Sequence, residues 1–230
     1  MIKSDIIMDY DRQARCGVEE AVFCASKTVA QIHRIIEQAQ QREKRLLLTR
    51  LNEEKFAALP TGIQQQLHWL PIAQCAVLGE QKALPADARI AVVSGGSSDA
   101  AVCYEIQTTL NYHGIACDLY QDVGVAALWR LLNIVDSLQQ YDVIIAVAGM
   151  EAALPTVLAG LVDAPIIAVP TSVGYGVGEG GQAALTSCLA SCSGGIMTMN
   201  IDNGYGAACA AIKIFRKIYR QPSAAVVSEQ

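Results

Sequence analysis

Three short loops hold the side chains best able to do chemistry in this sequence: Ser94-Gly95-Gly96-Ser97-Ser98-Asp99, Ala148-Gly149-Met150-Glu151 and Ser191-Cys192-Ser193-Gly194-Gly195. In the first, two glycines let a ligand approach the backbone and the serine hydroxyls donate hydrogen bonds. The helix expected to follow adds unpaired N–H groups and the positive end of its dipole. Those are the parts of an anion cradle. Asp99 falls in the first turn of that helix, where it either caps backbone donors or orients a ligand hydroxyl. Glu151 in the second loop is either a general base or a helix-start carboxylate stabilised by the dipole. Cys192 in the third lies between a helix end and a Gly-Gly turn, a freer setting than that of mid-helix Cys188.

The elements around these loops follow from periodicity. Apolar runs mark strands at Ile90–Val93, Ala116–Tyr120, Val143–Val147, Ile166–Val169 and Ile196–Asn200, and helical spacing fills Ser98–His113, Ala126–Gln139, Glu151–Leu161, Gln182–Cys192 and Tyr205–Tyr219. Alternating strands and helices predict a doubly wound α/β domain over 87–222 with a parallel sheet, and the first two loops then sit at carboxyl ends of strands, where small molecules bind. Residues 1–86 form a separate, small α+β region rich in charge and glutamine. It has helical patterning from Gly17 through Gln41 and strand candidates at Leu46–Thr49 and Gln74–Leu78. Residues 223–230 read as a frayed tail.

Composition narrows the function. The chain has 230 residues, and 17 basic against 22 acidic side chains give a net charge of −5, which offers no concentrated basic surface for nucleic acid. The cluster Arg42-Glu43-Lys44-Arg45 reads as a solvated face. No apolar run reaches the roughly 18 residues needed to span a bilayer, and the first residues lack a signal-peptide core, so a cytoplasmic protein with no membrane partner is expected. The eight cysteines show no zinc-site spacing and read as reduced thiols, most of them small core residues. His33, His68 and His113 show no ligand spacing and are expected at the surface or partly buried.

The loops taken in order resemble a known family. Ser94-Gly-Gly-Ser-Ser-Asp99, Asp122-Val-Gly-Val-Ala-Ala-Leu-Trp-Arg130, Ala148-Gly-Met-Glu-Ala-Ala-Leu-Pro155 and Asn203-Gly-Tyr-Gly-Ala207 follow the loop plan of PurE, the aminoimidazole ribonucleotide carboxylase. Two departures point away from that enzyme: Ala153 stands where its loop carries histidine, and glutamate stands at 151. Val147-Ala-Gly-Met-Glu-Ala-Ala-Leu154, Val169-Pro-Thr-Ser-Val-Gly-Tyr-Gly176, Ser191-Cys-Ser-Gly194 and Asn200-Ile-Asp-Asn-Gly-Tyr-Gly206 resemble more closely the LarB family of nickel-pincer nucleotide biosynthesis. The N-terminal patterns Asp9-Tyr-Asp-Arg12-Gln-Ala-Arg15-Cys-Gly17 and Lys27-Thr-Val-Ala-Gln-Ile32 extend that resemblance.

The resemblance implies a PurE-like catalytic domain and a reaction on nicotinic acid adenine dinucleotide: carboxylation at C5 of the pyridinium ring, with carbon dioxide or bicarbonate as co-substrate, and hydrolysis of the phosphoanhydride to release AMP. It implies Cys192 as covalent nucleophile and Glu151 as base. Ser94, Gly95, Gly96, Ser98, Asp99, Asp122, Arg130, Gly149, Met150, Thr171, Ser172 and Asn203 are expected to bind substrate. Hydrolysis calls for charge neutralisation by Arg or Lys or by a divalent metal such as magnesium, for which Asp202, with Asp122 and Asp99, is the candidate ligand. Trp129 replaces a histidine common in relatives, either stacking on a ring or packing in the fold. A homo-octamer is expected by the same resemblance. A nucleotide-binding protein without chemistry, or an aminoimidazole ribonucleotide carboxylase or mutase, are the alternatives.

Overall fold

The computed structural model of the protein describes residues 6–219, so the expected tail lies outside the described residues. The first element, α1 (Arg12–Cys16), stops at Gly17, whose φ of 78° is a left-handed position that glycine takes at no steric cost. The Arg15 guanidinium donates to both carboxylate oxygens of Asp9, so the Asp9-to-Gly17 pattern encodes an ion pair and a helix stop. Next comes a strand, β1 (Ala21–Phe23), where periodicity predicted helix; α2 (Val29–Gln41) starts only after Thr28. The cap decides this boundary. The Thr28 hydroxyl accepts from the Gln31 N–H and the Gln31 side chain accepts from the Thr28 N–H, which is what Lys27-Thr-Val-Ala-Gln-Ile32 builds. Ile32, Ile35, Ile36 and Ala39 then line one buried stripe of α2.

β2 (Leu46–Thr49), α3 (Glu53–Ala57), α4 (Thr61–Gln64), β3 (Leu67–Leu70) and β4 (Cys75–Leu78) complete a four-stranded sheet in the order β1-β2-β4-β3, with only β1 and β2 parallel. Its core joins Ile32, Ile35 and Ile36 to Leu46, Leu48, Leu51 and Leu78. Burial of each such side chain contributes about 1.5–3 kcal/mol.

The rest of the chain alternates strand and helix: β5 (Ile90–Ser94), α5 (Ala100–Tyr112), β6 (Cys117–Tyr120), α6 (Leu128–Leu132), α7 (Val135–Leu138), β7 (Val143–Ala148), α8 (Ala153–Ala159), β8 (Ile166–Pro170), α9 (Gln182–Leu189), β9 (Ile196–Thr198) and α10 (Gly204–Ile218). All five strands are parallel, in the order β6-β5-β7-β8-β9, the doubly wound arrangement expected. Every residue of the central strand β7 is buried. Val143, Ile145 and Val147 pack with Ile106, Leu110, Ala208 and Ile212 on the side of α5 and α10, while Ile144, Ala146 and Ala148 pack with Leu131, Leu154 and Leu158 on the other.

Two further expectations need correction. The single helix over 126–139 is broken into α6 and α7 at Asn133 and Ile134, residue types with lower helix propensity than the leucines before them. His113, expected at or near the surface, is 5% exposed at the end of α5, and burial pushes its imidazole down to about 4, so it is neutral. All eight cysteines are free thiols; Cys24, Cys75, Cys103 and Cys188 are buried, whereas Cys16 and Cys192 are exposed.

Candidate active site

The carboxyl ends of β5, β7 and β8 meet in one set of loops. The Ser94 carbonyl accepts from the Val123 N–H at 3.0 Å, and the Gly95 N–H donates to the Val147 carbonyl at 2.9 Å. A Cβ on Gly124 would lie 2.5 Å from the Gly95 oxygen, so the Ser94 and Asp122 loops touch backbone to backbone. The β7 and β8 loops are joined the same way. Met150 N–H donates to the Val173 carbonyl at 2.7 Å, and a Cβ on Gly149 would lie 2.2 Å from that oxygen and 2.7 Å from the Thr171 hydroxyl. Glycine at 124 and 149 is therefore demanded by close approach.

Asp99 ties the cradle together. It is buried, its Oδ2 accepts from the Gly96 N–H at 3.0 Å and its Oδ1 accepts from the Thr171 hydroxyl at 2.7 Å. Burial pushes the Asp99 carboxyl above the usual range, opposed by these two hydrogen bonds. Of the two roles open to it in sequence, Asp99 takes the capping one. Ser94 is fully buried, while Gly95 and Gly96 are half-buried and Ser98 exposed at the mouth. Ser172 is exposed, and its N–H donates to Asp202 Oδ1 at 2.8 Å. Asn203 caps α10 by accepting from the Gly206 N–H at 2.8 Å. Arg130 donates to the Asp122 carboxylate at 2.7 Å. Trp129 is 63% exposed, so it is not packed within this chain.

Glu151 leaves the end of the central strand between Met150 at φ 53° and Ala152 at φ 48°, and it is exposed. Asp122 and Asp202 also have positive φ, at 58° and 56°. Four non-glycine residues in the left-handed region at one end of one sheet mark a place where geometry is held against local preference, as at functional sites. Pro155 is accommodated in the first turn of α8, where its missing N–H costs nothing.

Cys192 is placed differently. Its loop enters β9 from the amino end of the sheet, where the Gly195 carbonyl accepts from the Ile166 N–H. The loop is held to α8: the Thr156 hydroxyl donates to the Ser191 hydroxyl at 2.8 Å, and the Ser193 hydroxyl donates to the Thr156 carbonyl at 3.0 Å. Thr156 lies five residues after Glu151, about 7–8 Å further along a helical path. The fold therefore gathers Ser94, Gly95, Gly96, Asp99, Asp122, Arg130, Gly149, Met150, Glu151, Thr171, Ser172, Asp202 and Asn203 at one edge, and sets Cys192 lower on the α8 side.

The carboxylates expected to face a metal do not fit that task. Asp99 holds Gly96 and Thr171, Asp122 holds Arg130, Asp202 holds Ser172, and no group of three or more His, Cys, Asp or Glu among the described residues is placed to hold an ion. No helix among the described residues is long and apolar enough to cross a membrane. Neither motif nor periodicity singles out Arg50 or Glu105, which form an ion pair beside the Asp202 loop; the signal available was a glutamate at position 105 within the apolar stripe Val102, Cys103 and Ile106.

The parallel-sheet part of the chain, residues 89–229, matches the family model described as AIR carboxylase. Residues 5–80 match the LarB/PurE-like N-terminal domain. The chain belongs to the LarB family, whose catalytic domain is of the AIR carboxylase type. It is 32% identical over 213 residues to an uncharacterized protein of Methanocaldococcus jannaschii, covering 90% of this chain and 82% of that one. The N5-carboxyaminoimidazole ribonucleotide mutase of the same organism is 31% identical over 128 residues, 54% of this chain and 77% of the mutase. The crystal structure of Treponema denticola PurE, at 24% identity, covers 56% of this chain and 80% of that chain with a TM-score of 0.44.

Proposed function

We propose that the protein carboxylates the pyridinium ring of nicotinic acid adenine dinucleotide at C5 and hydrolyses the phosphoanhydride, releasing AMP and pyridinium-3,5-biscarboxylic acid mononucleotide. A pyridinium carbon is too electron-poor to attack carbon dioxide. The Cys192 thiolate first adds to the ring carbon next to C5, which turns C5 into the nucleophilic end of an enamine. C5 then bonds to carbon dioxide, Glu151 takes the C5 proton, and the returning electron pair expels the thiolate and restores aromaticity. The dinucleotide phosphates rest on the Gly95-Gly96-Ser98 cradle, with Arg130 as the nearby cation. Water supplies the oxygen that ends on the phosphate.

The observation that carries this reading is α8, which presents an exposed carboxylate just before its start and holds the loop of an exposed thiol at Thr156. Cys192 enters from the opposite end of the sheet, and its loop's bonds to Thr156 set it beside the helix that Glu151 precedes; the homo-octamer of this reading requires a further contact between copies. Leu128, Trp129, Leu132 and Leu189, all exposed on the α6 and α9 side, are suited to such a contact. The test is incubation with the dinucleotide and isotopically labelled bicarbonate, followed by mass spectrometry. The expected result is a mononucleotide carrying the label together with AMP; AMP and labelled product both absent would overturn the reading.

The similarity to the mutase favours a second reading, an aminoimidazole ribonucleotide carboxylase or mutase. Ala153 puts a methyl group at the position where the PurE-type loop carries histidine, which argues against it. Conversion of aminoimidazole ribonucleotide by the purified protein decides between the two.

A further inference from the structure

One side chain of the N-terminal domain, Arg50, reaches the loop beside the cradle. Arg50 follows β2, and its Nε donates to Glu105 Oε1 of α5 at 2.9 Å while its Nη2 donates to Glu105 Oε2 at 3.4 Å and to the backbone carbonyl of Asp202. Glu105 is 3% exposed, and its Oε2 also accepts from the Tyr205 N–H at 3.2 Å. Gly204 sits against this carboxylate so closely that a Cβ there would lie 2.8 Å from Oε2 and 2.9 Å from the Val102 carbonyl. Both ends of the Arg50–Asp202 bond are at positive φ, 53° and 56°. Two strained residues from separate sheets are thus held by a single guanidinium, whose planar fork bonds the carboxylate and the carbonyl together.

From Asp202 the hydrogen bonds continue into the cradle. Its carboxylate accepts from the Ser172 N–H, its own N–H donates to the Pro170 carbonyl, the neighbouring Thr171 hydroxyl donates to Asp99, and Asp99 accepts from the Gly96 N–H. We propose that Arg50 is a positioning residue for the substrate cradle, and that the N-terminal domain serves catalysis by fixing the Asp202-Asn203-Gly204 loop, and through it Ser172, Thr171 and Gly96, in the geometry that receives the dinucleotide phosphates. This rests on the function proposed above. Neither Arg50 nor Glu105 touches substrate in this role.

The test compares wild type with Arg50→Lys, which keeps the charge on Glu105 but lacks the fork. A second variant, Arg50→Met with Glu105→Gln, leaves no unpaired buried charge and so guards against simple unfolding. Backbone amide exchange is read by mass spectrometry on the full chain without ligand, and affinity is read by titration with nicotinic acid adenine dinucleotide in the absence of bicarbonate. Expected is faster exchange at residues 171–173 and 202–206 with residues 32–39 unchanged, and affinity lower by on the order of tenfold, the scale of one charge-assisted hydrogen bond. Unchanged exchange in the 171–173 and 202–206 segments overturns the proposal. So does faster exchange with unchanged affinity, which would confine Arg50 to holding the domains together. Wild-type protein that binds no dinucleotide would instead sink the proposed function, and titration with inorganic pyrophosphate then decides whether the loops Arg50 holds form an anion site.

Discussion

The two faces of the parallel sheet are built to opposite standards. On one, α5 and α10 run 13 and 15 residues, bury Ile106, Leu110, Ala208 and Ile212 against the strands, and α5 also contacts the N-terminal sheet. On the other, α6, α7 and α8 run five, four and seven residues, and Leu128, Trp129, Leu132 and Leu189 stay exposed. Both faces bury an apolar core of similar size, but the two side chains proposed for chemistry, Glu151 and Cys192, adjoin the face with the short helices. The two faces differ in helix length, and the proposed chemistry falls beside the short helices.

The largest effect expected from that division is at Cys192. Cys192→Ser should lower labelled-carboxylate incorporation by about a thousandfold or more, because an alkoxide is harder to form and a poorer leaving group than a thiolate, while the melting temperature and dinucleotide affinity stay close to wild type. Retained carboxylation removes Cys192 from the mechanism. Glu151→Gln should slow turnover by roughly a hundred- to ten-thousandfold and accumulate a covalent adduct, since addition to the cationic ring needs no base once the thiol is ionised. Intact-protein mass spectrometry should show the added mass on this variant and none on Cys192→Ser. Loss of both adduct and turnover would instead make Glu151 the activator of the thiol.

Between the two faces lies the edge where the loops join, and there the comparison can be sharpened with glycines. Gly149→Ala places a methyl 2.2 Å from the Val173 carbonyl and should cost about 1–3 kcal/mol in denaturant unfolding. Gly95→Ala meets nothing closer than 3.5 Å and should leave stability within about 0.5 kcal/mol of wild type while weakening dinucleotide binding. Equal stability losses would show that the cradle has no space reserved for a ligand.

The smallest effect belongs to the long-helix face. His113 is neutral in the fold, with its titration lowered from 6.5 to about 4 mainly by burial. The unfolded chain takes up a proton below pH 6.5 that the folded chain refuses. The stability contributed is therefore complete above that pH and is lost as pH falls toward 4, with a slope of at most roughly 1.4 kcal/mol per pH unit. His113→Leu should flatten this part of the pH–stability curve and leave carboxylation untouched; an unaltered slope would place the acid sensitivity elsewhere.

The parts legible in sequence were those set by local pattern. Long apolar runs located β5, β7 and β8 to within a residue, because a strand buried on both faces reads as continuous hydrophobicity. At the Ser94 loop the turn and the Asp99 cap were legible, because glycine, serine and aspartate before a helix mark a helix start. β1 was hidden by the amphipathic pattern running into α2, and the Thr28 cap that separates them is visible only once Gln31 is paired with it. Arg50 and Glu105 escaped because the contact joins residues 55 apart and neither lies in a recognisable spacing. Where Cys192 lies relative to Glu151 escaped as well, since it depends on which end of β9 the loop enters.

The glycine contacts at 124 and 149 have a consequence for how such a protein changes over time. Neighbouring loops approach there main chain to main chain, with the Thr171 and Val173 side chains close beside the seam at Gly149. Exposed residues beside it, such as Trp129 and Glu151, can then be exchanged with little effect on the frame that carries them. A new reaction can be tried on such an edge one side chain at a time, because the failures are confined to activity and spare the fold.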